Sequence, residues 1–238
     1  MTNAKIEAVL FDWGGTLATW HSIDLHDTWR SVAKLIDETR AEELAARLVE
    51  AESSVWKRSK EEHLSSTFEE VCLLADAVMT PAALAEYERQ WDPHTVLEPD
   101  AIDTLQALRG QGLKVGVLSN TLWPRQRHED LFARDGVLDL LDGAVYTSEI
   151  PYTKPHPEAF LAAMRAVDVS EPARCLFVGD RLFDDVWGAQ NVGMRTAHIP
   201  HSAIPVEQIG HTEGTPDATV QRLSELPPLI ATWNEAAA

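Results

Sequence analysis

Short, nearly continuous apolar runs recur along the chain and predict buried β-strands. The clearest runs cover residues 6–12, 115–120, 143–147, 175–180 and 195–200. A strand with one face in water alternates apolar and polar residues, whereas these runs are apolar on both faces, which is typical of interior strands of a parallel sheet. Amphipathic segments with helical periodicity follow them at 123–133, 158–167, 183–191 and 220–233. This alternation predicts an α/β fold with a doubly wound, mainly parallel sheet.

One interval departs from this alternation. Between residues 18 and 96 the pattern is helical only, with predicted helices at 25–36, 41–55, 67–78 and 82–91. The far boundary is expected at Asp92-Pro93-His94, because proline cannot continue a helix. We therefore predict two domains: a Rossmann-like core formed by residues 1–17 and 97–238, and an all-helical cap domain formed by residues 18–96.

Charge and composition narrow the expected partners and location. Twenty Lys and Arg residues stand against 38 Asp and Glu residues, so the net charge of −18 disfavours both nucleic acid and anionic membranes as partners. No apolar run is long enough to cross a bilayer, and no signal segment follows the N-terminus. Cys72 and Cys175 each sit in an apolar run, as expected of buried reduced thiols. We expect a cytoplasmic protein, and a bound cation could still attract a small anionic substrate.

Side chains suited to chemistry follow the predicted strands. In an open parallel sheet, ligands bind at the carboxyl ends of the strands, so residues at these ends are expected to converge. In chain order they are Asp12, then Ser119 with Asn120, then Lys154, and finally an acidic cluster of Asp180, Asp184 and Asp185.

These residues suggest phosphoryl chemistry. Bringing Asp12 together with the acidic cluster is costly unless a cation neutralises the charge, and oxygen-only ligands suit Mg²⁺. Lys154 and Ser119 could then hold the oxygens of a phosphoryl group. A free Asp12 oxygen could attack in line and form an aspartyl-phosphate. Gly14 and Gly15 permit a tight turn and close approach of a ligand to the main chain.

The ordered motifs resemble those of the haloacid dehalogenase-like hydrolase superfamily over essentially the whole chain. The matching segments are 11–17 (FDWGGTL), Leu118-Ser119-Asn120, Lys154-Pro155, and Val178-Gly179-Asp180 with Asp184-Asp185. The helical insert lies where the first type of cap of this family belongs. The resemblance implies a Mg²⁺-dependent hydrolase, most similar to a phosphatase, that acts on a small phosphorylated metabolite as a monomer or a homodimer.

The resemblance also implies roles for individual residues. Asp12 would be the nucleophile, and Ser119 and Lys154 would complete the catalytic set. The metal ligands would be Asp12, the Gly14 carbonyl, Asp180 and one of Asp184 and Asp185, whose carboxylates would also position Lys154. The substrate-binding residues would be Gly15, Thr16, Asn120 and Arg181. Arg181 replaces the usual small residue, and it could instead pair with Asp184 or Asp185.

The chain departs from the pattern at Gly14. Phosphatases of this superfamily carry a second aspartate at this position, which protonates the leaving group and then activates water. Glycine can do neither, so the acid would have to come from elsewhere, with His21 and Asp24 as candidates, or the substrate would need a good leaving group. The tryptophans nearest the motifs, Trp13 and Trp123, could line the pocket, whereas Trp20 is expected to pack in or beside the cap.

Three other functions remain open at this stage. The first motif is similar to that of phosphonoacetaldehyde hydrolases, which cleave a C–P bond of a phosphonate through a Schiff base on a cap lysine. Lys57 and Lys60 are the candidates for that lysine. Their surroundings are polar, however, and would not lower a lysine pKa by desolvation. A 2-haloacid dehalogenase would also lack the second aspartate, but it has no use for clustered carboxylates. A catalytically impaired binding protein with this fold is the last alternative.

Overall fold

The core of the protein is one six-stranded sheet. The computed structural model describes residues 4–21, 23–200 and 213–237. The strands are β1 (Ala8–Phe11), β2 (Lys114–Ser119), β3 (Gly143–Tyr146), β4 (Cys175–Gly179), β5 (Arg195–His198) and β6 (Ala218–Thr219). Their order is β3-β2-β1-β4-β5-β6, and every neighbouring pair is parallel. The predicted doubly wound parallel α/β fold is confirmed.

The order of the strands decides where a site can form. The chain runs from β1 outward to β2 and β3, and then returns to β4 on the other side of β1. Such a reversal opens a crevice at the carboxyl ends of the two central strands, where α/β proteins bind ligands. In the register of β1 and β4, Phe11 pairs with Val178, so the residues that follow both strands emerge side by side.

Four helices fill the interval that lacked strand patterns. They are α1 (Leu25–Ile36), α2 (Ala41–Glu62), α3 (Phe68–Leu74) and α4 (Pro81–Trp91), and together they are called the helical insert below. Side chains of Asp24, Thr67 and Thr80 cap the N-termini of α1, α3 and α4 by accepting hydrogen bonds from first-turn N–H groups. Pro81 occupies the first turn of α4, where it sacrifices no helical hydrogen bond.

The other helices cover the two faces of the sheet. They are α5 (Ala101–Gly110), α6 (Arg125–Arg134), α7 (Pro157–Ala166), α8 (Gly188–Asn191) and α9 (Leu226–Ala236). Alternate residues of β1 enter opposite layers: Val9 and Phe11 join the larger hydrophobic cluster, while Ala8 and Leu10 join the smaller one. Burial on both faces explains why the strand is apolar at every position.

Several predicted boundaries were wrong at the ends of elements. The second helix runs on to Glu62 and stops where His63 adopts a left-handed conformation (φ 57°). The third stops at Leu74, near the left-handed Asp76 (φ 51°), rather than at residue 78. The segment predicted as a helix at 183–191 begins as a π-helical turn, Leu182–Trp187, before α8. The last helix starts at Leu226 instead of residue 220, and the short β6 was not predicted.

Two connections join the helical insert to the rest of the chain, and they run side by side. Thr19 N donates to Val96 O at 2.8 Å, and Glu98 N donates to Leu17 O at 2.8 Å. The predicted domain boundaries at residues 17/18 and 96/97 fall within this paired connection. The division into a core and a cap domain itself stays a prediction.

A second contact holds the far side of the insert against the sheet. Thr153 N donates to His63 O at 2.9 Å, and Ser65 N donates to Pro151 O at 3.0 Å. Ser59 Oγ also donates to Thr153 Oγ1 at 3.0 Å. The end of α2 therefore lies directly beside the segment that carries Lys154. Within the described ranges, no helix is long and apolar enough to cross a membrane.

Candidate active site

Asp12 and Asp180 emerge at the carboxyl ends of the adjacent strands β1 and β4, and both are buried. Asp12 N donates to Val178 O at 2.9 Å, which continues the strand pairing up to the carboxylate. The next residues fold back tightly, because Gly15 adopts φ +90°. A Cβ atom on Gly15 would lie 2.5 Å from Asp180 Oδ2, so glycine is required here for both conformation and space.

Lys154 is the cation at the centre of the site. Its side chain is almost fully buried, and Nζ lies 2.6 Å from Asp12 Oδ1 and 2.6 Å from Asp185 Oδ1. Burial alone would lower the pKa of Lys154, but Asp12 and Asp185 hold that pKa above its ordinary value, so the ammonium group stays charged. Lys154 thus ties the loop after β3 to the ends of β1 and β4.

Asn120 fixes the backbone of that lysine. Its Nδ2 donates to Lys154 O at 3.1 Å, and its Oδ1 accepts from Lys154 N at 2.8 Å. Both ends of the carboxamide are therefore engaged with Lys154, although the sequence predicted Asn120 as a substrate ligand. Its contacts in this structure are those of a residue that positions Lys154.

Asp185, rather than Asp184, contacts Lys154. Asp185 is completely buried, and its Oδ2 accepts from Arg181 N at 2.9 Å inside the π-helical turn. A Cβ atom on Gly179 would lie 2.3 Å from Asp185 Cγ, so the glycine leaves the room for this carboxylate. Asp184 is partly buried, and burial followed by the nearby Asp185 raises its pKa to about 6.

The three buried carboxylates form a group that fits a divalent cation. Asp12, Asp180 and Asp185 each offer an oxygen atom, and these atoms lie within 4.8 Å of one another. Asp180 Oδ1 is buried and has no hydrogen-bond partner within the described ranges of the chain. Burial raises the pKa of Asp12, and burial together with Asp12 and Asp185 holds the pKa of Asp180 well above its usual range. One lysine does not balance three carboxylates, and an all-oxygen set is suited to Mg²⁺.

Trp20, which was expected to pack in or beside the cap, lies beside Gly14. A Cβ atom on Gly14 would lie 3.5 Å from Trp20 Cζ3, an ordinary van der Waals distance. The Arg181 guanidinium lies 5.8 Å from the centre of the Trp20 ring, within range of a cation–π interaction. The place of a second aspartate is thus bordered by an indole.

The two proposed substitutes for that aspartate make their contacts elsewhere. The His21 ring packs edge-on against His94, with 5.8 Å between the ring centres. Asp24 Oδ1 accepts from Asp27 N at 3.0 Å and caps α1.

The remaining predicted residues lie near Asp12 to different extents. Thr16 Oγ1 donates to Asp12 Oδ2 at 3.5 Å, a long hydrogen bond. Ser119 is buried at the end of β2, the strand next to β1. Trp13 faces the interior, where its ring packs edge-on against Trp123 and His128 at 5.8 and 4.9 Å between centres. The structure therefore brings Asp12, Thr16, Lys154, Asp180 and Asp185 together and turns Trp13 away.

His198 was missed by the sequence analysis. It ends β5, and its Nε2 donates to the Asp180 carbonyl at 3.0 Å, which supports the backbone of the residue that carries the unpaired oxygen. The predicted run extended to residue 200, so the rule of strand ends pointed beyond His198, and only the observed end of β5 identifies it.

The family model and the relatives that match this chain are all hydrolases. A family model described as haloacid dehalogenase-like hydrolase matches residues 6–193. A glyceraldehyde 3-phosphate phosphatase of Methanopyrus kandleri is 26% identical over 238 residues, covering 93% of this chain and 95% of the relative. Pyrophosphatase PpaX of Bacillus thuringiensis is 30% identical over 135 residues, covering 56% of this chain and only 59% of that protein.

Two solved structures share the fold. A HAD phosphatase from Thermococcus onnurineus has a TM-score of 0.66 at 24% identity and covers 94% of this chain and 98% of its own. An L-2-haloacid dehalogenase from Xanthobacter autotrophicus has a TM-score of 0.62 at 22% identity, covering 95% and 98%. At these identities the likeness concerns the fold alone, and it includes both phosphatases and dehalogenases.

Proposed function

The chain belongs to the haloacid dehalogenase-like hydrolases, and from that premise we propose that it is a Mg²⁺-dependent phosphatase of small phosphorylated metabolites. The observation that carries the proposal is Lys154 Nζ, 2.6 Å from Asp12 in a buried group of three carboxylates. A relative that covers nearly the whole chain is named a phosphatase, which supports the same reaction class.

The proposed reaction uses Asp12 as the nucleophile. An Asp12 oxygen attacks the phosphorus of a phosphate monoester, the new O–P bond forms as the ester bond breaks, and the alcohol departs with a proton taken from solvent or a neighbouring donor. Water then hydrolyses the aspartyl-phosphate to release inorganic phosphate. Lys154 offsets the charge of the phosphoryl oxygens, and the hydroxyl groups of Ser119 and Thr16 donate hydrogen bonds to them.

The fit of a cation follows from the charge and the donor set. Asp12, Asp180 and the Gly14 carbonyl would hold Mg²⁺, with Asp184 or Asp185 completing the acidic set, and the ion would supply positive charge against the phosphate oxygens. Asp180 is the strongest ligand candidate, because its Oδ1 is buried and no described residue bonds to it. Asp185 is already bonded to Lys154 and to the Arg181 N–H, so its first role is to orient Lys154.

The glycine at position 14 shapes the expected substrate preference. No carboxylate stands there to protonate a departing alkoxide, and the Trp20 ring borders the space. Esters whose leaving group is already a weak base need no such acid. We therefore expect aryl phosphates and other activated esters to be hydrolysed faster than simple alkyl phosphates.

We further propose that residues 18–96 act as a cap. The paired connection formed by Leu17, Thr19, Val96 and Glu98 would serve as the hinge, and the contacts of Ser59, His63 and Ser65 with the loop before Lys154 would form and break as the cap closes. Closure over the site would exclude water during the attack by Asp12.

The test measures phosphate release from phosphate esters and phosphonates, and halide release from 2-haloacids, each with Mg²⁺ and with EDTA. We expect turnover of phosphate esters that requires Mg²⁺, loss of that turnover in Asp12→Asn, and normal turnover in Asp103→Asn, the same change at an exposed position of α5. Acid quenching should trap covalently bound phosphate on the wild-type protein and none on Asp12→Asn.

Other results would assign another function. Metal-independent phosphate release, or a fully active Asp12→Asn variant, would refute the proposal. Halide release from a 2-haloacid in EDTA would identify a dehalogenase, and borohydride trapping of phosphonoacetaldehyde on Lys57 or Lys60 would identify C–P bond cleavage. No turnover of any compound, combined with phosphatase activity in Gly14→Asp, would favour a binding protein.

A further inference from the structure

A cavity of about 680 Å³ lies between the C-terminal half of α2 and Phe183. Its wall includes Trp56, Lys57, Lys60, Glu61, His63 and Phe183. Phe183 belongs to the π-helical turn between Asp180 and Asp185, and His63 O accepts from Thr153 N, directly before Lys154. One wall of the cavity is therefore continuous in sequence with Asp185, and the other is hydrogen-bonded to the residue before Lys154.

The charge of this wall is unusual for the chain. Acidic residues outnumber basic ones by 38 to 20 overall, yet two lysines and one glutamate line the cavity. Lys57 Nζ lies 4.0 Å from Glu61 Oε1, which is a loose contact between two exposed side chains. Lys60 makes no ion pair with any residue in the described part of the chain. A positively charged wall on so acidic a protein attracts anions locally and not through the overall field.

His63 adds an unsatisfied polar group to the wall. Its Nδ1 atom is buried and has no hydrogen-bond partner among the described residues. The ring lies 6.4 Å from that of Phe183, which in turn stacks on Trp187 at 4.8 Å. A buried imidazole nitrogen without a partner is unfavourable unless another group completes it. Because this atom is closed off from solvent, a bound molecule could complete it only after the ring turns toward the cavity.

The aromatic side of the cavity is held in place from behind. Glu52 is a buried carboxylate that accepts from Trp29 Nε1 at 2.6 Å and from Trp56 Nε1 at 3.4 Å. Trp56 is thus anchored through its polar edge, which leaves its ring as a fixed apolar surface of the wall. The cavity combines a rigid aromatic surface with mobile cations, an arrangement suited to a small organic anion.

We propose that this cavity binds a second anionic group of the substrate, with Lys60 as the principal contact and Lys57 and His63 assisting. The proposal rests on the phosphatase function above and specifies its substrate class: small phosphate monoesters that carry a carboxylate or a second phosphate at the end remote from the ester. Phosphate esters with a neutral remainder would leave Lys60 without an ionic partner among the described residues, so they would bind more weakly.

The experiment compares matched non-hydrolysable phosphonates on the full chain in the presence of Mg²⁺. Phosphonoacetate, phosphonopropionate and phosphonobutyrate carry a terminal carboxylate at three distances, and ethyl-, propyl- and butylphosphonate are their uncharged counterparts. Calorimetric titration gives the Kd of each. We expect at least one acid to bind about tenfold more tightly than its counterpart, since charged contacts to exposed lysines are individually weak but act together here.

The variants test whether this preference comes from the cavity. Lys60→Gln should reduce the preference to about twofold or less. Lys34→Gln makes the same change at an exposed position of α1 outside the cavity, and it should leave the preference intact. Equal binding of all three matched pairs, or an equal loss of preference in both variants, would overturn the proposal. A tail that ends in phosphate, tested as the corresponding bisphosphonate, decides which anion is preferred.

A parallel assay separates this inference from the proposed function. If the acids bind preferentially and no phosphate ester is hydrolysed, anion binding by the cavity is supported and the phosphatase proposal is refuted. If charged and uncharged esters are hydrolysed with equal kcat/KM and the phosphonates bind equally, the phosphatase proposal stands and the cavity inference fails.

Discussion

Replacing Lys154 with methionine removes the buried cation that contacts Asp12 and Asp185 and keeps a side chain of similar length. In the wild type, Nζ lies 2.6 Å from both Asp12 and Asp185, and the side chain is 2% exposed. Removing one partner of a buried ion pair leaves the other charge uncompensated, which costs about 3–5 kcal/mol in comparable sites. Lys154→Met should therefore be strongly destabilised at neutral pH when no divalent cation is present.

Protonation limits that cost and gives it a characteristic pH dependence. The variant can place a proton on Asp12, whose ordinary pKa is 3.8, and this step costs about 1.4 kcal/mol for each pH unit above that value. The ceiling is then about 4 kcal/mol at pH 7 and about 2 kcal/mol at pH 5. Because the pKa in the folded variant lies above that in the unfolded chain, stability is lost as the pH rises from 3.8.

Urea unfolding in EDTA at pH 5 and pH 7 measures both effects. Lys114→Met is the matched control, because Lys114 is half exposed and its Nζ lies 3.2 Å from Asp142 at the surface; it should cost less than about 1 kcal/mol at either pH. Saturating Mg²⁺ should stabilise Lys154→Met more than the wild type, since the variant holds more uncompensated charge. The reasoning is refuted if both variants lose the same free energy, or if the loss in Lys154→Met is no smaller at pH 5.

Three further predictions concern buried or closely packed positions. Burial lowers the pKa of the His128 imidazole from 6.5 to about 3, so near pH 5 only the unfolded chain takes up this proton. In urea unfolding, the wild type should therefore lose about 2 kcal/mol of stability between pH 7 and pH 5, and His128→Phe should not show this loss. Equal losses in the two proteins would contradict this prediction. Gly14→Asp has room for its Cβ and should speed hydrolysis of alkyl phosphates by about 10²-fold, whereas the same rate in Gly14→Asn would argue against an acid role. Gly179→Ala places a Cβ atom 2.3 Å from Asp185 Cγ and should lower both Tm and kcat. The control Gly110→Ala has no atom within 4 Å of its Cβ and should lower neither. Similar behaviour of the two variants would refute the steric argument.

The strands were predictable because their environment is uniform along their length. Each residue of β1 is buried, with Val9 and Phe11 on one face of the sheet and Ala8 and Leu10 on the other. A run without polar positions therefore indicates a strand that is buried on both faces of its sheet. Membership in the hydrolase family was predictable for a related reason, since Asp12, Lys154 and Asp180 follow such runs in a fixed order, and the family assignment is confirmed.

The ends of elements were less predictable because single residues decide them. Glu62 ends α2 because His63 turns left-handed and its N–H bonds back to Ser59 O, and neither feature changes the helical periodicity of the preceding residues. The two-residue strand β6 exists only because Ala218 finds a place beside Ala197 of β5. Such a short pairing is a consequence of the assembled sheet and leaves no pattern in the chain.

The sequence by itself determined which residues stand at the strand ends, and therefore that Asp12, Lys154 and the acidic cluster would meet at one edge of the sheet. Only the tertiary structure decided which atoms meet: Asp185 reaches Lys154 because the chain at Leu182–Trp187 forms a π-helical turn and the Arg181 N–H holds the other carboxylate oxygen. The fold of the loop after β1 likewise decided that Trp20 borders Gly14. Apolar periodicity specifies position along a strand or helix, whereas the direction of a side chain depends on local dihedral angles and on distant neighbours.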